Sequence, residues 1–264
     1  MITSVKNNKV KSVQALQSRR RVRQREQRFV LEGVRLIGEA IRAGVPPTFV
    51  FYTEALEADV RGGRLLETLR ETDVPCYTVS EAVMAACSDT ETPQGILAVL
   101  PIPNLPRPDH PTLTLVLDHV REPGNLGTIL RTALAAGVEQ VLLAPGTVDG
   151  SNPKVVRAAM GAHLCLPVAA LRWETIAEAV SGCDVWLAAA GGETPYTTVD
   201  WTRSVALIVG GEASGAGERA RALAQGRVSI PMTSGVESLN VAMATAVILF
   251  EAVRQRTAKE RGAA

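Results

Sequence analysis

Apolar residues follow two rhythms along the chain, and together they outline an α/β protein. In the first hundred residues, short apolar runs at 48–52, 76–79 and 95–100 predict strands. Helical patterns are predicted over 63–72 and, after an extended entry, over 28–43. Further on, the runs 113–117, 140–144, 185–190, 205–209 and 228–230 are separated by helical patterns and show no in-out alternation. Strands of that kind suit a mostly parallel sheet buried on both faces. Between the halves stand five prolines, at 101, 103, 106, 108 and 111. Proline fixes φ and donates no backbone hydrogen bond, so this stretch reads as a stiff connector. The expected organisation is a smaller α/β domain over 1–100, a linker over 101–111 and a parallel-sheet domain over 112–264.

The last helix, predicted from Ser238 to about Arg256, carries two apolar stripes. Leu239, Met243, Val247, Phe250 and Val253 form one, and Val241, Ala244, Ile248 and Ala252 the other. Two stripes imply burial on two sides, met either by a deep core position or by the helix's own sheet plus a second subunit. The charged tail, Arg254 to Arg261, is expected to fray into solvent.

Composition narrows the function classes. At 46% hydrophobic and 21% charged the chain has an ordinary globular balance, which excludes disordered and coiled-coil classes. Aromatics at 4% argue against base recognition built mainly on stacked rings. The longest apolar run, 241–250, is too short to span a bilayer, and the opening residues show no apolar signal core, so a cytoplasmic protein with no membrane contact is expected. Four scattered cysteines and three scattered histidines suggest neither a disulfide framework nor a metal site. The net charge of +1 is unevenly spread, because residues 1–35 hold ten Lys or Arg against two acids. Lys6, Lys9, Lys11, Arg19, Arg20, Arg21, Arg23 and Arg25 form a basic arm that either meets phosphates or is a solvated helix face.

Three segments carry candidate chemistry, each a strand running into a glycine-containing loop and then a helix: 117–131, 208–215 and 230–241. Such loops bind ligands in open α/β sheets. In the first, Asn125 is placed to cap a helix, and Gly127 leaves space beside Arg131, whose guanidinium offers fixed donors to a phosphate or oxyanion. In the second, Gly210 and Gly211 permit close backbone approach to a ligand while Glu212 accepts hydrogen bonds. Neither a dinucleotide nor a nucleotide-triphosphate signature is present. In the third, Ser238 is placed to cap the last helix, and Asn240 sits in its first turn, where asparagine is unfavourable unless its amide is needed.

Asn-x-Gly-x-x-x-Arg (Asn125, Gly127, Arg131), Gly-x-Glu-x-x-Gly (Gly210, Glu212, Gly215) and Ile-Pro-Met followed by Ser-Leu-Asn-Val (Ile230 to Met232, Ser238 to Val241) resemble, in order and spacing, the three motifs of the SpoU (TrmH-like) class of SPOUT RNA 2'-O-ribose methyltransferases. The resemblance covers 112–256 and includes the segment 153–162. In the first domain, 29–33 and 92–96 are similar to the substrate-binding domain, an L30e-like α/β fold, that many members carry. It implies a trefoil-knotted catalytic domain, a homodimer formed through that domain, and S-adenosylmethionine held by the knot loops. Gly210, Gly211, Ile230, Met232, Ser238 and Leu239 fall at cofactor-binding positions, and Asn125, Arg131, Glu212, Ser238 and Asn240 at catalytic ones. Ala242 departs from the pattern, since serine is frequent after Asn-Val. The implied substrate is RNA, with ribosomal RNA, the 23S molecule above all, favoured over transfer RNA. The rival readings are a non-catalytic RNA-binding or ribosome-assembly protein and a small-molecule methyltransferase or nucleotide-binding enzyme.

Overall fold

The computed structural model describes residues 1–212, 215–233 and 238–262, so Ala213, Ser214 and 234–237 of the segments quoted above lie outside the described residues. The chain forms two units, Met1–Asn104 with Ser151–Leu164, and Leu105–Gly150 with Cys165–Ala264.

The first unit runs α1 (Asn8–Ser18), α2 (Arg20–Glu26), β1 (Arg28–Glu32), α3 (Val34–Arg42), β2 (Phe49–Tyr52), α4 (Glu54–Ala58), α5 (Val60–Glu71), β3 (Cys76–Thr78), α6 (Glu81–Cys87) and β4 (Ile96–Pro101). Its sheet has the order β1-β4-β2-β3, with β4 antiparallel to both neighbours and β2 parallel to β3. Alternate residues serve two cores. Phe29, Leu31, Ile96, Ala98 and Leu100 pack on one face with Ile37 and Leu66, while Val30, Leu97 and Val99 pack on the other with Val83 and Met84.

The basic arm is a docked pair of helices. In α1 the residues Val10, Val13 and Leu16 are fully buried at helical spacing against the second of those cores. Arg23 leaves the basic surface altogether, being only 3% exposed, with Nη1 donating to the carbonyls of Leu16 and Gln17 at 2.7 and 3.3 Å. Lys6, Lys9, Lys11, Arg19, Arg20, Arg21 and Arg25 stay exposed.

A second difference concerns the expected 112–264 domain, because residues 151–164 belong to the first unit. Helix α8 (Pro153–Ala159) lies against β1, Val156 and Leu164 enter the core around Phe29, and Arg157 Nη1 meets Asp89 Oδ2 at 3.2 Å. Periodicity fixes which face of a helix is apolar, but not which sheet receives it.

The second unit contains β5 (Leu113–Asp118), α7 (Pro123–Ala135), β6 (Gln140–Leu143), β7 (Val168–Ala170), α9 (Trp173–Ala179), β8 (Asp184–Ala188), β9 (Thr194–Pro195), β10 (Val205–Gly210), α10 (Glu218–Leu223), β11 (Gly226–Ser229) and α11 (Val241–Gly262). Its sheet, in the order β7-β6-β5-β10-β8-β11-β9, is parallel at every pairing. β5 and β10 are buried along their whole length, as their unbroken apolar runs require. The strand order reverses between them, which makes their carboxyl ends the expected place for a ligand. The expected frayed tail is helical to Gly262, and Arg256 ties its first part down by donating to the carbonyls of Trp201, Thr112 and Arg203 at 2.9, 2.7 and 3.0 Å, while 258–262 are exposed to solvent.

Candidate active site

Loops from the carboxyl ends of β8, β10 and β11 enclose a cleft of about 680 Å³, a size suited to a cofactor. Gly210, Gly211, Ile230, Met232, Ser238 and Leu239 all line it, as do Glu212 and Asn240. Its walls are otherwise mostly apolar, from Leu187 to Ala190, Val209, Val241 and Ile248, with Arg221 and Arg227 as its basic groups. Arg227 is paired with Glu193, and Arg221 is exposed.

The two adjacent glycines are required by close approach. A Cβ on Gly210 would run into the amide nitrogen of Ala216, and one on Gly211 into the carbonyl oxygen of His119. Gly211 and Gly215 exchange backbone hydrogen bonds at 3.2 and 3.0 Å. A cradle built this way leaves backbone groups rather than side chains to face a ligand.

At the edge of the cleft, Asn125 from the first turn of α7 joins Glu212 and Asn240 from two loops in a chain of hydrogen bonds. Asn125 Nδ2 donates to Glu212 Oε1 at 2.8 Å, and Asn240 Nδ2 donates to Asn125 Oδ1 at 3.1 Å. Glu212 Oε2 also accepts from the backbone N–H of Arg121 at 3.3 Å. Burial pushes the Glu212 carboxyl up, but the Asn125 amide and the backbone N–H groups of Glu212, Arg121 and Glu122 outweigh it and hold the group below the ordinary glutamate value.

Two local expectations change here. Asn125 is not a cap: α7 opens on Pro123 with Glu122 at the cap position and no side-chain cap bond, which leaves the Asn125 amide for the loops. The residue that caps α11 is Asn240 rather than Ser238, with Oδ1 accepting from the N–H groups of Ala242 and Met243 at 2.9 and 3.4 Å. Its unfavourable helical propensity is thereby avoided, and its amide end remains for Asn125. Ser238 lies before the helix, in the cleft wall.

Arg131 is not among the residues lining the cleft. It is exposed on α7, and its side chain makes no hydrogen bond or ion pair among the described residues. Sequence reasoning missed Asp118, a carboxylate with no exposure at the end of β5. The available signal was an acid closing an otherwise apolar strand.

Residues 112–250 match the SpoU rRNA methylase family, and residues 7–98 match the MRM3-like substrate binding domain. The chain is 34% identical over 251 residues to the 23S rRNA (guanosine(2553)-2'-O)-methyltransferase RlmP of Bacillus subtilis, covering 94% of this chain and 97% of that protein. It is 32% identical to the mitochondrial rRNA methyltransferase 3 of Homo sapiens, covering 94% of this chain and 73% of that one. Among solved structures, the SpoU methyltransferase AviRb from Streptomyces viridochromogenes in complex with AdoMet aligns at a TM-score of 0.87 and 29% identity, over 96% of this chain and 99% of that one. The AdoMet-bound rRNA methyltransferase from Sinorhizobium meliloti aligns at 0.85 and 29%, over 96% and 97%. The parallel-sheet unit thus has the SPOUT-type fold its motifs implied, and the chain belongs to the SpoU rRNA methylase family as an RNA 2'-O-ribose methyltransferase.

Proposed function

We propose that the substrate is 23S ribosomal RNA and that the cleft between the β8, β10 and β11 loops holds S-adenosylmethionine. The observation that carries this reading is the convergence of Gly210, Gly211, Ile230, Met232, Ser238 and Leu239 on one cleft beside the Asn125, Glu212 and Asn240 chain. The residues suit that cofactor. The glycine cradle has room that any Cβ would fill, and Ile230 and Leu239 offer apolar surface for a flat base. Ribosomal RNA is favoured because the full-length relatives named above are rRNA methyltransferases. A tRNA-modifying enzyme from A. aeolicus aligns over only 58% of this chain, at a TM-score of 0.51.

When bound, the sulfonium supplies an electrophilic methyl group for in-line displacement. The protein has to make a ribose hydroxyl nucleophilic and to aim it. Glu212 and Asn240, locked through Asn125, fix the polar edge of the cleft. Arg131 supplies the positive charge that stabilises the oxygen as its proton passes to solvent water.

The exposed stripe Leu239, Met243, Val247 and Phe250 is the face through which two copies associate. Helix α7 packs on α11, and Leu134, one turn from Arg131, is exposed too, so a second copy seated here would complete the site around Arg131. The exposed lysines and arginines of α1 and α2 draw in RNA phosphates. Mapping 2'-O-methyl groups in 23S rRNA from cells with and without this gene tests the reading. One site should disappear and return when purified protein and S-adenosylmethionine are added to the unmodified RNA. An unchanged map with no transfer in vitro would refute it.

A further inference from the structure

Asp118, at the end of β5, is fully buried and pairs in register with Gly210. A buried carboxylate needs donors, and it has two: the backbone N–H of Gly217 at 2.7 Å from Oδ2, and His119 Nδ1 at 2.6 Å from Oδ1. His119 itself sits at φ +58°, a left-handed conformation uncommon for a residue with a side chain. Glycines from two other loops make room for it. Its ring lies where a Cβ on Gly146 would be and 3.5 Å from where one on Gly217 would be, and its carbonyl oxygen occupies the place of a Gly211 Cβ. Gly211 and Gly217 are the two ends of the loop that carries Glu212.

We propose that Asp118 and His119 are positioning residues that pin both ends of the 211–217 loop, Asp118 through the Gly217 amide and His119 through its left-handed backbone against Gly211, and so set the floor of the donor cleft. The proposal rests on reading that cleft as the S-adenosylmethionine site. A His119 acting only in this way never meets the reacting atoms. Its loss therefore weakens donor binding and leaves the chemical step intact once the cleft is filled.

The test uses the full chain with His119→Gly, which removes the ring without straining the backbone, and His119→Asn, which tolerates the left-handed conformation and offers Asp118 an N–H again. In His119→Gly the Kd and KM for S-adenosylmethionine should rise about tenfold, as expected for losing a hydrogen bond to a buried carboxyl group, with kcat at saturation nearly unchanged. His119→Asn should recover most of the affinity. Hydrogen–deuterium exchange of the donor-free protein should be faster in His119→Gly for the peptide containing Gly215 and Gly217. Unchanged affinity with unchanged exchange would overturn the pinning, as would a fall in kcat at constant KM, which would place His119 at the reacting atoms. If wild-type protein fails to bind S-adenosylmethionine, the cleft assignment falls, and the exchange comparison alone decides whether the loop is pinned.

Discussion

The chain of hydrogen bonds through Asn125 is open to a substitution that changes one atom and reverses one interaction. Asn125→Asp keeps the size of the side chain and the acceptor that faces Asn240, but it sets a second carboxylate where an N–H now lies 2.8 Å from Glu212 Oε1. Two unit charges about 4 Å apart repel by about 1 kcal/mol in water and about 4 kcal/mol at an effective dielectric of about 20. Glu212 is solvent-exposed, so the lower part of that range applies, about 1–2 kcal/mol. The lost hydrogen bond to a charged acceptor adds about 1.5 kcal/mol. The sum of about 3 kcal/mol corresponds to roughly a hundredfold loss of methyl transfer, against about tenfold for Asn125→Ala, which loses only the second contribution. The charge also dictates a pH dependence. Paired carboxylates share a proton as pH falls, so the excess loss in Asn125→Asp should shrink from pH 8 toward pH 5.5 while that of Asn125→Ala stays constant. Single-turnover transfer from radiolabelled S-adenosylmethionine, with melting curves to establish folding, measures both. An Asn125→Asp protein at least as active as Asn125→Ala at pH 8 would refute the hydrogen-bond polarity assigned here.

Arg131→Ala should abolish methyl transfer while donor affinity, read by isothermal titration, stays within a few-fold, since Arg131 does not line the cleft. Replacing Arg20, Arg21 and Arg25 together by Gln should flatten the salt dependence of RNA binding by about 2 in logarithmic slope, at about 0.7–0.9 per lost phosphate contact. Arg23→Ala should instead leave that slope alone and lower the melting temperature by several degrees, because it strands buried carbonyls at a cost of about 1–3 kcal/mol. Phe250→Asp, at a position now 51% exposed, should shift the protein to monomer in sedimentation velocity if α11 is the dimer face.

Most strands were legible because their apolar runs lie at the centre of a sheet; those expected at 113–117 and 205–209 coincide with β5 and β10 to within a residue. The short edge strands β7 and β9 were not, since two or three residues with half-exposed faces carry no pattern. Helix α1 illustrates a different limit. Its charges are conspicuous, and they hid the Val10, Val13 and Leu16 stripe that docks it. The burial of Arg23 depends on where the carbonyls of Leu16 and Gln17 fall after the chain turns, which spacing does not encode. At the site, the motifs picked out loops that converge on one cleft, but the assignment of caps was local reasoning applied to residues whose partners are 87 and 115 positions away. A side chain capable of both a cap and a long-range bond is ambiguous in sequence, and Asn240 does both.

The composition of the cleft also constrains how the proton of a ribose hydroxyl is lost. Among the described residues lining it there is no histidine, cysteine, lysine or tyrosine, and the acid among them is Glu212. The hydrogen bonds that keep Glu212 ionised also make it a weaker proton acceptor, because each N–H directed at the carboxylate stabilises the form that has not taken the proton. A guanidinium is not deprotonated in proteins, so in the role proposed for it Arg131 would contribute charge rather than basicity. On the proposed reading, rate enhancement would come from fixed electrostatics, with Arg131 as the positive charge near the ribose oxygen and Ile230 and Leu239 shaping the apolar part of the cleft wall. Such a site depends on placement to within fractions of an ångström, which is why its loops are built from glycines in backbone contact and amides bonded to one another rather than from freely rotating acids and bases.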